Sequence, residues 1–194
     1  KAAKLTAVSN EASKNVVPGL DVKIIPNAIP NQHINIEFTN SQDLLFIGRN
    51  EKRKNFKLYY QLSNLLKNST YSFRAITNKY IYSPNIELFI NPDDEIKNEV
   101  LKGSSIYLAV NTHGESFGIT ILEAINAGCT AVCSDISAFK DLLGDSGVYF
   151  KNNNLQDLKQ TVEQLDTDDI QTIYNKQKTH IEKYNVDKVM PSWI

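Results

Sequence analysis

The sequence predicts an α/β fold, a Rossmann-like parallel sheet with helices on both faces. Three observations lead there. From about Asp43 onward, short apolar runs alternate with stretches whose apolar residues recur at helical spacing, the pattern of βα units that feed a parallel sheet. The strongest run, Asp43-Leu44-Leu45-Phe46-Ile47-Gly48, lacks in–out alternation, as a strand covered on both sides does. The two loops richest in chemistry, 48–54 and 111–118, each follow such a run and lead into a helix, the place where open α/β sheets bind ligands.

Residues 5–8 read as a short buried strand, and Ser9 as the cap of a helix over 11–16. A second apolar run, 22–25, stops at the turn pair Pro26-Asn27. Residues 30–41 are polar and Asn-rich and read as a loop. After the strand at 43–48 and a charged loop at 49–54, Phe56, Tyr59, Tyr60, Leu62, Leu65 and Leu66 mark a helix. Strands are expected at 71–76 and 86–90. Pro92 falls at a helix start, with Asp93, Asp94 and Glu95 in the first turn, where the helix dipole favours acids. A strand at 105–110 precedes a helix over 118–127 that Gly128 terminates. Strands at 131–134 and 147–150 follow. Leu155, Leu158, Val162 and Leu165 mark an amphipathic helix, and 170–184 a last one.

The 194 residues suit one domain with a full core. Hydrophobic residues at 41% and charged residues at 22% are ordinary for a globular chain. A formal net charge of -1 points away from nucleic acid and from anionic membrane surfaces. The apolar runs are too short for a transmembrane helix, and no signal peptide is visible at the start. Cys129 and Cys133 lack a histidine pair for zinc and read as buried small hydrophobes, which fits a cytosolic context better than a disulfide framework. The chain starts on Lys in mid-pattern, so the expectation is a piece of a longer protein.

Familiar cofactor and hydrolase motifs are missing: no G-x-G-x-x-G follows a strand, and there is no P-loop or G-x-S-x-G elbow. Two constellations remain. In the first, Gly48-Arg49 is followed by Lys54-Asn55. An Arg fork and a Lys point charge can grip a diphosphate, although on this motif alone a solvated basic loop including Lys52 and Arg53 is the commoner reading. In the second, Glu115 and Glu123 flank a helix start with Gly114, Phe117 and Gly118 between strand and helix. The helix N-terminus offers free N–H groups and partial positive charge, and the glycines allow close backbone approach. A capped helix with two surface acids is the plain alternative. His113 joins the candidates through its neighbours.

Together these motifs resemble the donor-binding half of retaining glycosyltransferases with the GT-B fold, family 4. Glu115-Ser116-Phe117-Gly118-Ile119-Thr120-Ile121-Leu122-Glu123-Ala124 with Gly128 is similar to that family's signature of two glutamates with seven residues between them, and Gly48-Arg49 with Lys54 resembles its phosphate-gripping pair. Ala7-Val8-Ser9 and Ile24-Ile25-Pro26-Asn27-Ala28 look like its entry into the C-terminal domain, and Ser192-Trp193 like its return toward the other domain.

The resemblance implies a single C-terminal nucleotide-sugar-binding domain over 1–194. Residues 1–40 would enter from the interdomain region and 185–194 begin the crossover to an N-terminal, acceptor-binding domain before residue 1. It implies a UDP-sugar or GDP-sugar donor, a glycan or lipid-linked acceptor, and no cofactor or metal. It implies a cytoplasmic protein whose full-length form is at most peripheral to the inner face of a membrane. Arg49 and Lys54 would hold the diphosphate, Glu115 the donor sugar and Glu123 the ribose. Gly48, His113, Gly114, Ser116, Phe117, Gly118, Ile119 and Asn78 would complete the donor site, and Glu115, Arg49 and Lys54 would carry the chemistry. The piece alone should transfer little sugar. Thr130, Thr77-Asn78-Lys79 and Ile136-Ser137-Ala138 depart from the family pattern and leave base and sugar open. The rivals are a non-catalytic nucleotide-binding or assembly module derived from such an enzyme, and an epimerase of similar two-domain fold.

Overall fold

The structure, a computed structural model, describes residues 5–14, 16, 19–30, 42–165 and 167–193, without the side chains of 167–169. The loop expected at 30–41 falls, from residue 31 on, outside the described residues. First come β1 (Leu5–Ala7), α1 (Asn10–Ser13) and β2 (Val22–Ile24). Then follow β3 (Asp43–Ile47), α2 (Phe56–Leu65), β4 (Ser72–Thr77), β5 (Glu87–Ile90), α3 (Asp94–Lys102), β6 (Ile106–Ala109) and α4 (Ile119–Asn126). The rest is β7 (Thr130–Ser134), α5 (Ser137–Leu143), β8 (Val148–Phe150), α6 (Leu155–Glu163), α7 (Thr167–Ile181) and α8 (Val186–Val189).

The expected fold is the one observed. Six strands form one parallel sheet in the order β5-β4-β3-β6-β7-β8. The chain adds strands outward from β3, then returns to the other side of β3 at β6, which makes the β3/β6 boundary the topological switch point. Successive residues feed two cores. Leu45, Tyr107, Ala109, Ala131 and Cys133 pack with buried side chains of α3, α4, α5 and α7. Leu44, Phe46, Ile106, Leu108 and Val132 pack with α2 and α6 on the opposite face. Two apolar faces per strand explain the unbroken apolar runs.

Caps behave as their residue types demand. The Ser9 side chain accepts from the Ala12 amide at 3.0 Å, and Asp93 accepts from the Ile96 amide at 2.9 Å. Gly128 leaves α4 at φ +107, in the left-handed region that a helix stop uses. Both cysteines are free and buried, and Cys129 donates to the carbonyls of Leu101 and Ser104 at 3.3 Å.

Three expectations need correction. The first strand is not buried: β1 pairs with β2 in a separate two-stranded ribbon, and Leu5 stays 39% exposed. Only Val8 and Ile25, just past the strand ends, reach the core. The last helix divides into α7 and a 3-10 turn, Glu182–Tyr184. The short helices α5 and α8 were not expected; α5 has only seven residues, too few for a periodic signal.

Gln177 on α7 finishes the sheet. Thr130 donates its amide to Ser105 on the β6 side, so Ala131 faces the β8 side, where pairing begins only at Val132 opposite Val148. The fully buried Gln177 side chain fills the gap: it accepts from the Ala131 amide and donates to the Ala131 carbonyl, both at 2.8 Å. Gln177→Leu should therefore strand two buried backbone groups and cost about 2–4 kcal/mol. In urea unfolding the midpoint should fall with an unchanged slope; an unmoved midpoint would refute the role.

Candidate functional site

At the carboxyl end of the switch point the sheet opens into a cavity of about 750 Å3. The loop after β3 supplies Gly48, Arg49, Arg53 and Lys54; β4 and its loop supply Thr77 and Asn78; Asn91, Pro92 and Lys97 come from the β5–α3 side; Ile119, Thr120 and Glu123 come from α4. Gly48 is required by space rather than by φ: a Cβ there would lie 2.8 Å from the Phe46 ring and 3.3 Å from Lys54 Cβ. Its amide bonds Ile76 O at 3.0 Å, which carries strand pairing one residue into the loop. The loop then makes a 3-10 turn, Lys52–Lys54, that ends on Asn55 in the left-handed region at φ +57. That turn sets Arg53 and Lys54 toward the neighbouring loop.

The loop after β6 is bound to the loop after β3. The Thr112 amide donates to Arg53 O at 2.8 Å, and the Arg53 guanidinium donates to Gly114 O at 3.1 Å. Lys54 Nζ lies 2.8 Å from Glu115 Oε2, both side chains under a fifth exposed. The same oxygen accepts from Asn111 Nδ2 at 2.9 Å. Burial works to raise the Glu115 pKa, but the Lys54 hydrogen bond, the Lys54 and Arg53 charges and the Phe117 amide outweigh it and hold the carboxyl below its ordinary value. Glu115 is thus a carboxylate at neutral pH.

The Lys54–Glu115 pair stands between two chambers. Lys54 lines the large one, and Glu115 lines a smaller one of about 270 Å3 with Glu11, Thr112, His113, Gly114, Ile136, Ser137 and Ala138. Across the large chamber, Lys97 pairs with Glu123 at 2.9 Å. Asn78 braces the wall: its Oδ1 accepts from the Asn50 amide at 2.7 Å, and its carbonyl accepts from Asn91 Nδ2 at 3.3 Å. Arg49 is 75% exposed at the mouth, 3.9 Å from Glu51. α4 starts from Gly118 at φ +96, where a Cβ would also meet Leu142 at 3.1 Å. Of the first-turn amides of α4, that of Ile121 bonds Gly118 O at 3.0 Å, and Ile119 and Thr120 line the chamber at the helix start. Cations and a helix start therefore converge on one space suited to a phosphate-bearing ligand.

The residues singled out from the sequence divide three ways. Gly48, Arg49, Lys54, Asn78, Ile119 and Glu123 line the large chamber. His113, Gly114 and Glu115 line the small one. Ser116 and Phe117 line neither: the Ser116 carbonyl accepts from Ser9 Oγ, and the buried Phe117 ring meets Tyr184 edge-on at 5.5 Å. Gly118 is buried at the helix start. Arg53, Thr77, Asn91, Pro92, Lys97 and Thr120 also line the large chamber without having been singled out. The turn pair Asn91-Pro92 at the end of β5 is the sequence signal that points to this wall. Among the described residues no group of three or more His, Cys, Asp or Glu side chains is placed to hold a metal ion. No described helix is long and apolar enough to cross a membrane.

Comparison with known proteins bears on the family and the fold. The family described as Glycosyl transferases group 1 matches residues 30–185. A phosphatidyl-myo-inositol mannosyltransferase of Mycobacterium tuberculosis is 45% identical over 56 residues, 29% of this chain and 15% of its own length. The corresponding protein of Propionibacterium freudenreichii is 47% identical over 53 residues, 27% of this chain and 14% of its own. Among solved structures, HepE of Anabaena in complex with UDP and glucose superposes with a TM-score of 0.80 at 15% identity, covering 99% of this chain and 62% of its own. A variant of TarM from S. aureus in complex with fondaparinux, α-GlcNAc-glycerol and UDP gives 0.83 at 16% identity, over 98% of this chain and 43% of its own. At these identities the likeness is one of fold.

The lowered Glu115 pKa has a pH signature. A carboxylate stabilised in the folded state contributes fully above its unfolded pKa, about 4.3, and loses that contribution as pH falls through the folded value. The stability gap between the parent and Glu115→Gln, about 1–2 kcal/mol for a half-buried charged hydrogen bond, should be constant from pH 8 to 5 and close below pH 4. A gap that does not change down to pH 3 would contradict the pairing.

Proposed function

The chain belongs to the glycosyl transferases group 1 family, and from that premise we propose that it is the donor-binding part of a retaining glycosyltransferase. The donor is a nucleoside diphosphate sugar, UDP or GDP. The observation that carries this reading is the Lys54–Glu115 pair at the wall between the large and small chambers. A nucleoside diphosphate in the large chamber would direct its β-phosphate at Lys54, and a sugar in the small chamber would present its hydroxyls to Glu115. The bond to be broken lies between them.

Each group has a role that its position allows. Arg49 turns inward onto the diphosphate as a planar fork, and Lys54 shares its ammonium between Glu115 and the phosphate. The α4 amides add partial positive charge. Glu123 accepts from the ribose hydroxyls once Lys97 yields one oxygen, and the loop carrying Asn78 borders the base. As the C1–O bond lengthens, negative charge gathers on the departing diphosphate and positive charge on the sugar ring. The cations meet the first, and the Glu115 carboxylate, fixed by Lys54 and Asn111, faces the second. The acceptor hydroxyl attacks C1 on the face the diphosphate leaves, its proton passes to an oxygen of the departing β-phosphate, and the sugar keeps its anomeric configuration. The acceptor, a glycan or lipid-linked sugar, is held by a further domain, so the chain alone should transfer slowly. The mannosyltransferase relatives support a lipid-linked acceptor, and the UDP in the HepE and TarM structures supports a uridine donor.

Titration of the chain with UDP, GDP and ADP tests the reading. Binding to UDP or GDP is expected, weakened roughly ten- to a hundredfold by Lys54→Ala, since a charge-assisted hydrogen bond contributes about 1.5–3 kcal/mol. Binding to none of the three, or an indifferent Lys54→Ala variant, would reject the donor site.

A further inference from the structure

A third cavity, of about 500 Å3, shares the loop of the large chamber. Arg49, Arg53 and Lys54 face the large chamber, while Asn50, Glu51 and Lys52 face this one. Its floor belongs to the core and is preformed. Phe56 is 6% exposed, and Tyr60 and Ile81 pack against the same buried cluster. One wall is Tyr82, 74% exposed, an unusual position for a large aromatic beside a cavity. The rim carries the side-chain amides of Asn50 and Asn55 and the ammonium groups of Lys52 and Lys57. Glu51 is neutralised by Arg53 at 2.9 Å, whereas Lys52 and Lys57 have no ion pair among the described residues.

We propose that this cavity binds a sugar unit of an anionic glycan. An apolar floor with an aromatic wall suits the C–H face of a pyranose ring, and the rim amides suit its hydroxyls. The two lysines suit a carboxylate or ester anion on the sugar. The volume falls within the range of small-ligand sites. A membrane surface fits less well: the apolar groups line a concavity rather than a protrusion, and polar amides ring it. The site lies one loop from the large chamber. The inference does not rest on the donor reading.

The test uses the whole chain with oligogalacturonate, hyaluronan and heparin-derived oligosaccharides. Neutral maltohexaose and phosphatidylglycerol vesicles serve as comparators. Saturable binding to at least one acidic oligosaccharide is expected, stronger than to maltohexaose. Tyr82→Ala should weaken it about tenfold, Tyr82→Trp should restore it and Lys57→Ala should reduce it. The response to UDP should be the same in all three variants, so failure here is distinct from failure of the donor site. The proposal is overturned if no acidic oligosaccharide binds, or if Tyr82→Ala changes nothing. Tyr82-dependent binding to the vesicles but to no oligosaccharide also overturns it and assigns the patch to a membrane.

Discussion

β3 and β6 lie side by side in parallel, yet the helices that follow them pack on opposite faces of the sheet, α2 on one and α4 on the other. The two connecting loops must diverge, and a crevice opens between them at the carboxyl ends of the strands. Every feature of the candidate site follows from that divergence. The 48–54 loop brings cations to one side, and the 111–118 loop brings a carboxylate and a helix start to the other. The Thr112–Arg53 backbone bond and the Lys54–Glu115 pair keep the loops from parting further.

Two lysine–glutamate pairs, Lys54–Glu115 and Lys97–Glu123, hold the site in its described state. Each joins one element to another and is only partly exposed, so each orients its members more firmly than a surface pair does. The arrangement suits an anionic ligand. The lysines are already positioned, and a phosphate adds a partner to an ammonium that has several donor directions. Glu115 keeps its charge because cations and amides outweigh its burial, so a carboxylate lines the small chamber.

Much was legible in advance for physical reasons. Leu44, Leu45 and Phe46 alternate between two cores, and a short strand covered on both faces shows that as consecutive apolar residues. Gly128 and Asp93 act within a few residues of themselves, so their roles as helix stop and cap are local and visible. The partners of Gln177 were not visible, because its amide replaces a strand neighbour 46 positions away. Lys97 carries no local signal, because its partner Glu123 lies 26 positions away and only the placing of α3 beside α4 joins them. Phe117 is the reverse case. It sits inside the signature segment, yet its ring belongs to the core against Tyr184.

By itself the sequence determined the α/β class, the strand order from Asp43 on with the longer helices between, and the two loops at the strand ends that border the chambers. These depend on periodicity, turn residues and residue types, all of which act over short stretches of chain. Only the tertiary structure decided that Lys54 meets Glu115 across 61 positions, that the candidates divide between two chambers with Ser116, Phe117 and Gly118 outside both, and that Arg53, Lys97 and Asn91 border the larger one. It also decided that β1 and β2 stand apart from the main sheet. The reason is the same throughout: which loop faces which is set by strand order and by the face each helix covers, and neither quantity is encoded within a single element.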